Sequence, residues 1–154
     1  MASIKEAIQQ SKFRNPHHQA QVNIIYTSNW INDRSVSTLK PFGLSLQQFN
    51  ILRILRGRAG KPSTVKLLTE RMLDKMSNAS RLVDKLKSKG LVSRKECPTD
   101  RRRVDIIITE EGLDVLAKAS AAVEENIELS FNHLTDEEAL TLSNLLDKLR
   151  DGED

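Results

Sequence analysis

The chain has 154 residues, of which 38% are hydrophobic and 29% charged, and its formal net charge is +3 at pH 7. The length suits one domain, the patterned apolar residues argue against disorder, and no apolar run approaches the roughly 18 residues of a membrane span. A single cysteine excludes an internal disulfide framework, and the N-terminus lacks the apolar core of a signal peptide. We therefore expect a cytoplasmic protein without a membrane partner.

Charge is distributed unevenly along the chain. Residues 1–74 contain 11 Lys/Arg and 4 Asp/Glu, and residues 75–103 contain 10 and 3. Residues 104–154 contain only 3 Lys/Arg but 14 Asp/Glu. A basic part followed by an acidic part indicates a polyanion-binding surface on the first and a different role for the second.

The N-terminal third predicts helices. Residues 3–10 suit a short helix, and residues 17–39 a long one, because apolar residues there recur at steps of three, four and five. These apolar residues are Val22, Ile25, Tyr26, Trp30, Ile31 and Val36. The Pro-Phe-Gly run at 41–43 should end the long helix. Ser45 and Gln48 form a capping box, with Leu44 and Phe49 as its hydrophobic staple, which predicts a helix over 45–57.

The middle of the chain predicts two short helices and a hairpin. After a basic loop at 57–62, Ser63 or Thr64 should cap a helix that ends near residue 72. A turn at 74–76 leads into a helix over 77–89, which Gly90 stops. Residues 92–97 and 104–108 are strand-like, and residues 98–100 form the tip between them. A helix–turn–helix followed by a two-stranded hairpin is a winged helix.

Two helices complete the chain. Thr109 should cap a helix that continues to about residue 130, with acidic residues in its first turn where the helix dipole favours them. Thr135 and Glu138 form a second capping box, which opens a last helix to about residue 150. The predicted fold is therefore mostly α with a small β-hairpin wing.

The second helix of the helix–turn–helix is the predicted reading element, because its N-terminal residues face base edges in the major groove. Those residues are Ser77, Asn78, Ser80 and Arg81. Asn78 can pair with adenine, and Arg81 with guanine or a phosphate. Phosphate contacts are expected from Lys75, Lys85 and Lys87. The alternative is an ordinary amphipathic helix with a solvated basic face.

Three consecutive arginines follow the hairpin tip. Arg101 is placed to enter a narrow minor groove, whose negative potential attracts a guanidinium group. Phosphate contacts are expected on its flanks from Arg94, Lys95, Arg102 and Arg103. Asp100 would be repelled by phosphates, so we predict that it orients an arginine, either Arg101 or Arg81. A charged tip exposed to solvent is the alternative.

The wing carries a family resemblance. Residues 100–102 and 108–112 resemble the Asp-x-Arg … Leu-Thr-x-x-Gly signature of the MarR family of winged-helix transcription factors. Two runs within residues 80–92 resemble that family's recognition helix and its exit into the wing. The resemblance extends over about residues 20–150, with Ile108 where leucine is usual.

The resemblance implies a homodimer that binds a palindromic operator, with the first and last helices interlocked. We accordingly predict a dimerisation region at 1–40, a winged helix–turn–helix lobe that binds double-stranded DNA at 41–109, and C-terminal dimerisation helices at 110–154, all in one intertwined domain. The residues support a dimer independently, because the C-terminal helices carry more apolar residues on one side than this chain can cover. These residues are Leu113, Leu116, Val123, Ile127, Phe131, Leu134, Leu142, Leu145, Leu146 and Leu149.

The family resemblance also implies regulation. Many members repress transcription and release DNA when a small, often phenolic or anionic ligand binds between the two domains, and others sense oxidants through cysteine. Tyr26, Trp30, Phe42 and Phe49 lie on or beside the helices that would line such a pocket. Aromatic residues at this spacing are usually core residues, so an effector pocket and a core junction both remain open.

Cys97 and the three histidines are the remaining candidate site residues. Cys97 at the wing base could be a redox switch, because the basic neighbours Arg94, Lys95 and Arg101 could lower its pKa. A partly buried structural thiol is the alternative, since the chain offers no resolving cysteine. The three histidines, His17, His18 and His133, lack the spacing of metal ligands, so no metal is expected.

The chain shows no catalytic motif. There is no Gly-rich phosphate loop and no nucleophile elbow, so we expect neither an enzyme nor a cofactor beyond a small aromatic or anionic effector. The leading hypothesis is a ligand-responsive repressor. The alternative is a winged-helix protein-interaction module that docks an acidic partner.

Overall fold

The structure is a computed structural model that describes residues 2–152. Within that range the chain forms seven α-helices and one antiparallel β-hairpin, as predicted. The elements in chain order are α1 (Ile4–Ala7), α2 (Pro16–Leu39), α3 (Leu46–Gly57), α4 (Val65–Arg71), α5 (Ala79–Ser88), β1 (Val92–Cys97), β2 (Asp100–Ile108), α6 (Glu110–Phe131) and α7 (Asp136–Arg150). No helix of residues 2–152 is long and apolar enough to cross a membrane.

Helix α2 is the longest element, with 24 residues, and spans about 36 Å. It begins one residue before the predicted start, because Pro16 suits the first helical position and the Asn15 side chain accepts the His18 amide hydrogen. A 3₁₀ turn over Lys40–Phe42 ends it, and Gly43 follows with φ of 65°, a conformation that favours glycine. The predicted stop is confirmed.

Local caps define the other helices. The backbone NH of Gln48 donates to Ser45 Oγ at 3.1 Å, and the NH of Ser45 donates to Gln48 Oε1 at 3.2 Å, so the predicted capping box is present. The same reciprocal arrangement joins Thr135 and Glu138 at the start of α7. Of the two candidates before α4, Thr64 is the cap.

The hydrophobic core lies in the winged lobe. Helices α3, α4 and α5, the hairpin and the first turns of α6 surround it. Its fully buried side chains include Ile51, Leu52, Leu68, Val83, Leu86, Ile106 and Leu116. Because Leu116 and Ala119 of α6 are buried in this core, the first half of this long helix is packed into the winged lobe.

The hairpin differs from its prediction at the tip. Its pairs are Val92 with Ile108, Ser93 with Ile107, Arg94 with Ile106, Lys95 with Asp105, Glu96 with Val104 and Cys97 with Asp100. Only Pro98 and Thr99 form the turn, and β2 begins four residues earlier than predicted. Residues 101–103 have no partner in this ladder, so the three arginines bulge out of it.

A one-residue third strand completes the wing sheet. Ser63 donates its backbone NH to Ile106 O at 2.9 Å, and the Ile106 NH donates to Ser63 O at 2.8 Å. This bridge joins the start of the helix–turn–helix to the hairpin. The sequence contains no periodicity from which such a single bridge could be predicted.

Helix α7 differs from the others because none of its residues is buried. Four of its leucines, at positions 140, 142, 145 and 149, are exposed to between 44% and 68%. Exposed apolar side chains also line much of α2. The apolar stripes that the sequence places on these helices are therefore uncovered in a single chain.

Candidate nucleic-acid interface

Helix α5 presents one face to the core and the other to solvent. Ala79, Val83 and Leu86 are buried, which fixes the rotation of the helix about its axis. The opposite stripe contains Arg81, Asp84, Lys85 and Ser88, at helical spacings of three and four, and all four are exposed. The predicted reading residue Arg81 and phosphate ligand Lys85 therefore lie on one accessible face.

The start of α5 differs from the prediction. The helix begins at Ala79 rather than Ser77, and Asn78 is its N-cap, with its side-chain oxygen accepting the Arg81 amide hydrogen at 3.1 Å. The cap holds the Asn78 amide group at the helix end, where its nitrogen can donate to a base. Ser80 is exposed beside it.

Ser77, another residue predicted to read a base, is half-buried in the turn before α5. Its hydroxyl oxygen is shielded from solvent and has no hydrogen-bond partner among residues 2–152. The Ser77 NH donates to Asp74 O at 3.2 Å. A base contact by this residue stays a prediction.

Lysines around the helix–turn–helix divide into two groups. Lys85 and Lys87 are exposed, as phosphate contacts require. Lys75 Nζ donates to the Glu70 carbonyl at the end of α4, so this predicted phosphate ligand also caps a helix. Lys89, for which the sequence predicts no contact, donates to Gly43 O and to Gln48 Oε1 and connects the end of α5 to the start of α3.

The wing arginines differ in how they are held. Arg101, Arg102 and Arg103 are all exposed. Arg103 Nε lies 3.0 Å from Asp105 Oδ1, which orients this side chain along the strand. The Arg101 side chain has no hydrogen bond or ion pair within the described part of the chain, so its guanidinium group is free for a ligand.

The predicted partner of Asp100 is wrong. Its Oδ1 accepts the backbone NH of Arg102 at 2.9 Å, and it forms no ion pair with Arg101 or Arg81 within residues 2–152. The Arg102 NH lies two residues along the chain, where an aspartate side chain reaches it without rearrangement. An ion pair with an exposed arginine would instead cost side-chain entropy, because it fixes a long side chain in one position. Asp100 therefore shapes the bulge instead of orienting a guanidinium group.

Arg94, one of the predicted phosphate ligands, forms an ion pair in this structure. Its Nη1 lies 2.7 Å from Oδ1 of Asp84, the acidic residue in the exposed stripe of α5. This ion pair connects β1 to the reading helix and neutralises the only acidic side chain on that stripe. Lys95, the next residue, is exposed.

Cys97 is half-buried at the end of β1, beside the turn at the tip of the wing and not at its base as predicted. Its Sγ lies 3.2 Å from Thr99 Oγ1, and this hydrogen bond, with backbone hydrogen bonds from Thr99 and Asp100, lowers the pKa of the thiol. The predicted cause was wrong, because basic neighbours do not contribute, and the one charged neighbour that acts, Asp105, raises the pKa. Hydrogen bonding is responsible.

The lowered pKa predicts the pH dependence of Cys97 alkylation. Since the thiolate is the nucleophile, iodoacetamide should label folded protein at a lower pH than it labels the same thiol in urea. Thr99→Val should move the folded profile upward, because the largest cause of the shift is lost. Rates followed by mass spectrometry from pH 6 to 10 test this, with Cys97→Ser as the unlabelled control. Identical folded and unfolded profiles would contradict it.

The four aromatic residues predicted for an effector pocket occupy different environments. Phe49 is buried in the core and Phe42 packs against it, whereas Tyr26 and Trp30 are exposed on α2. The Arg34 guanidinium lies 5.1 Å from the centre of the Trp30 ring. Such a pair places a positive charge beside an accessible aromatic surface.

A cavity of about 300 Å³ lies between α2 and α6. Its lining residues are Ile31, Ser35, Thr38, Val123, Asn126, Ile127 and Phe131, and none of the four predicted aromatic residues is among them. Asn126 Nδ2 donates to Thr38 Oγ1 at 2.8 Å across this cavity. Among residues 2–152, no three His, Cys, Asp or Glu side chains are grouped as metal ligands.

Comparison with known proteins agrees with this geometry. The family model described as MarR family matches residues 42–103, the lobe that contains the candidate interface. The chain is 28% identical over 123 residues to the HTH-type transcriptional regulator MhqR of Bacillus subtilis, covering 77% of this chain and 81% of MhqR. It is 27% identical over 109 residues to the HTH-type transcriptional repressor IacR of Pseudomonas putida, covering 71% of this chain and 64% of IacR.

A solved structure is also similar. The organohalide-sensing transcriptional regulator RdhR-CbdbA1625, in its 2,4-dichlorophenol-bound form, is 26% identical and superposes with a TM-score of 0.79. The alignment covers 90% of this chain and 86% of that one. The similarity therefore includes the long helices as well as the winged lobe.

Proposed function

We propose that the chain is a DNA-binding regulator of the MarR family rather than an enzyme. In this proposal it is a cytoplasmic repressor that binds a pseudo-palindromic operator as a homodimer. The similarity to IacR, a repressor by name, favours repression over activation. Residues 41–109 would contact DNA, and residues 1–40 and 110–154 would form the dimer.

One observation carries the proposal: the Arg94–Asp84 ion pair connects the exposed stripe of α5 to the first strand of the wing, whose second strand carries the bulged arginines. Arg81 and Lys85 would face the major groove, with Asn78 and Ser80 at the helix start reading bases. Arg101 would enter the adjacent minor groove. Contacts to phosphates would come from Lys75, Lys87, Lys95, Arg102 and Arg103.

The uncovered apolar surface supports a homodimer. The exposed large apolar residues of the long helices are Ile24, Ile25, Tyr26, Trp30 and Val36 on α2, Leu113, Ile127 and Leu129 on α6, and Leu140, Leu142, Leu145 and Leu149 on α7. A second copy would bury them, and two-fold symmetry would present two reading helices to half-sites about 10 base pairs apart. The pseudo-palindrome is the DNA counterpart of that symmetry.

A small aromatic or anionic effector is the proposed signal. Support comes from the similarity to RdhR-CbdbA1625, which has been solved with 2,4-dichlorophenol. Tyr26 and Trp30 would line an effector site at the edge of the proposed dimer interface, and Arg34 beside Trp30 supplies a positive charge for an anionic ring. Phe42 and Phe49, which pack in the core of the winged lobe, would support such a site from within the lobe.

Selection from a random library of duplex oligonucleotides tests the proposal first. We expect enrichment of an inverted repeat, and we expect the logarithm of operator affinity to fall linearly with the logarithm of salt concentration. Binding without any sequence preference would contradict the proposal. It would favour the alternative in which the wing docks an acidic protein.

The wing assignment is tested by Arg101→Ala. Loss of a groove contact should weaken operator binding about 10- to 100-fold, corresponding to roughly 1–3 kcal/mol, while the dimer persists. Fluorescence anisotropy with labelled operator measures the affinity, and sedimentation velocity the oligomeric state. Lys118→Ala removes the same charge from α6, where Lys118 pairs with Asp114 at 3.1 Å, and should change little. An Arg101→Ala dimer with wild-type affinity would overturn the assignment.

A further inference from the structure

The turn between α4 and α5 exposes two large apolar side chains. Leu73 is 83% exposed and Met76 is 92% exposed. They are the only large apolar residues exposed within 41–109, all of which the structure describes. Every other such residue lies on α2, α6, α7 or the α6–α7 turn, where the proposed dimer would cover it. The dimer therefore does not account for these two.

Hydrogen bonds hold this turn in one conformation. The Met76 NH donates to Asp74 Oδ1 at 3.0 Å, and the Leu73 NH donates to Asn50 Oδ1 at 2.9 Å. Met72, the residue before the turn, is buried in the core at 1% exposure. The exposure of Met76 is consequently a property of an ordered turn, which points the side chain away from the protein.

Met76 lies immediately before the reading helix α5. It precedes the N-cap Asn78 by two residues, and in a helix–turn–helix this end of the second helix enters the major groove. The groove edge is polar except at the C5-methyl group of thymine, which is the apolar feature that distinguishes one base pair from another there. An unbranched thioether side chain adapts well to a small apolar target.

We propose that Met76 reads a thymine in each half-site by packing against its 5-methyl group. This inference rests on the proposed function and adds a specificity determinant to it. A methionine there makes no contact with phosphates, so it contributes sequence preference without electrostatic affinity.

Deoxyuridine substitution tests the contact, because deoxyuridine differs from thymidine only by that methyl group. Each thymine of the selected operator is replaced in turn, symmetrically in both half-sites. We expect one position at which wild-type affinity falls about 4-fold per half-site, or about 15-fold for both, the effect of losing one buried methyl group each time. The other positions should change less.

Variants at Met76 then test whether this side chain contacts the thymine that deoxyuridine substitution identifies. Met76→Gln keeps the length of the side chain but makes it polar, so it should bind thymine and deoxyuridine operators equally. Its salt dependence should equal that of wild type, because no phosphate contact is lost. Met76→Leu should retain the discrimination. Since Met76 is exposed, both variants should unfold at the wild-type temperature, which circular dichroism verifies.

The outcomes separate the two proposals. If Met76→Gln discriminates thymine from deoxyuridine as wild type does, or if wild type discriminates at no position, the methyl contact is wrong and the proposed function stands. If wild type shows no sequence-selective binding, the proposed function and this inference both fail.

Discussion

Gly112→Ala is expected to destabilise the protein by about 2 kcal/mol, although alanine normally favours helices. A Cβ atom at Gly112 would lie 2.1 Å from the carbonyl oxygen of Leu91 and 2.8 Å from Cγ1 of Ile108. The Leu91 carbonyl already accepts the Thr109 NH at 3.0 Å, so this backbone cannot move without breaking the junction of wing and α6. Overpacking commonly costs about 1–3 kcal/mol, and contact with backbone puts this site at the upper end.

The gain in helix stability from replacing glycine by alanine is smaller than the cost of this steric clash. Replacing glycine by alanine inside a helix favours folding by about 1 kcal/mol, so the steric clash decides the sign. Gly57→Ala is the matched control, because Gly57 lies in the last turn of α3 and its Cβ would meet no atom within 4 Å. That variant should be neutral or slightly more stable.

Urea denaturation followed by circular dichroism measures both variants, at one protomer concentration because a dimer's stability depends on concentration. We expect a lower midpoint for Gly112→Ala and an unchanged or higher one for Gly57→Ala. Equal midpoints for Gly112→Ala and wild type would show that the junction between Leu91 and α6 can relax.

The double variant Leu142→Glu with Leu145→Glu should convert the proposed dimer into a monomer. These side chains are 44% and 58% exposed in the single chain, on a helix without a buried residue. Covering the exposed part of each leucine, about half of the residue, would contribute roughly 0.7–1.5 kcal/mol, and a symmetric dimer would contain both leucines twice. A carboxylate in the same interface would also be desolvated without a partner.

Operator binding should weaken by about 10²- to 10⁴-fold in this variant, because the two reading heads would no longer be linked. Sedimentation velocity and anisotropy titration measure the two effects. Asn144→Glu adds one carboxylate on the side of α7 opposite Leu142 and Leu145, where Asn144 is exposed, and should remain dimeric. A double variant that remains dimeric, or a monomeric wild type, would contradict the proposed interface.

Most of the fold could be predicted because its signals are local. The Ser45–Gln48 and Thr135–Glu138 capping boxes each connect residues three positions apart, so the sequence itself contains both partners. The same holds for the end of α5, where Gly90 has φ of 75°. Together with the apolar periodicity, these signals were sufficient for the order of elements and the winged-helix fold.

The pairing of charges was decided by the tertiary structure alone. Asp84 and Arg94 lie ten residues apart and meet because β1 returns along α5, and Asp100 turns to the Arg102 backbone instead of a guanidinium group. Exposed ion pairs differ by less than about 1 kcal/mol, so residue types cannot predict which partner an arginine takes. The burial of the Ser77 hydroxyl and the Ser63–Ile106 bridge likewise depend on where distant segments come together. Residues within one turn of a helix determine its ends, whereas the groups left free to bind DNA depend on packing between elements.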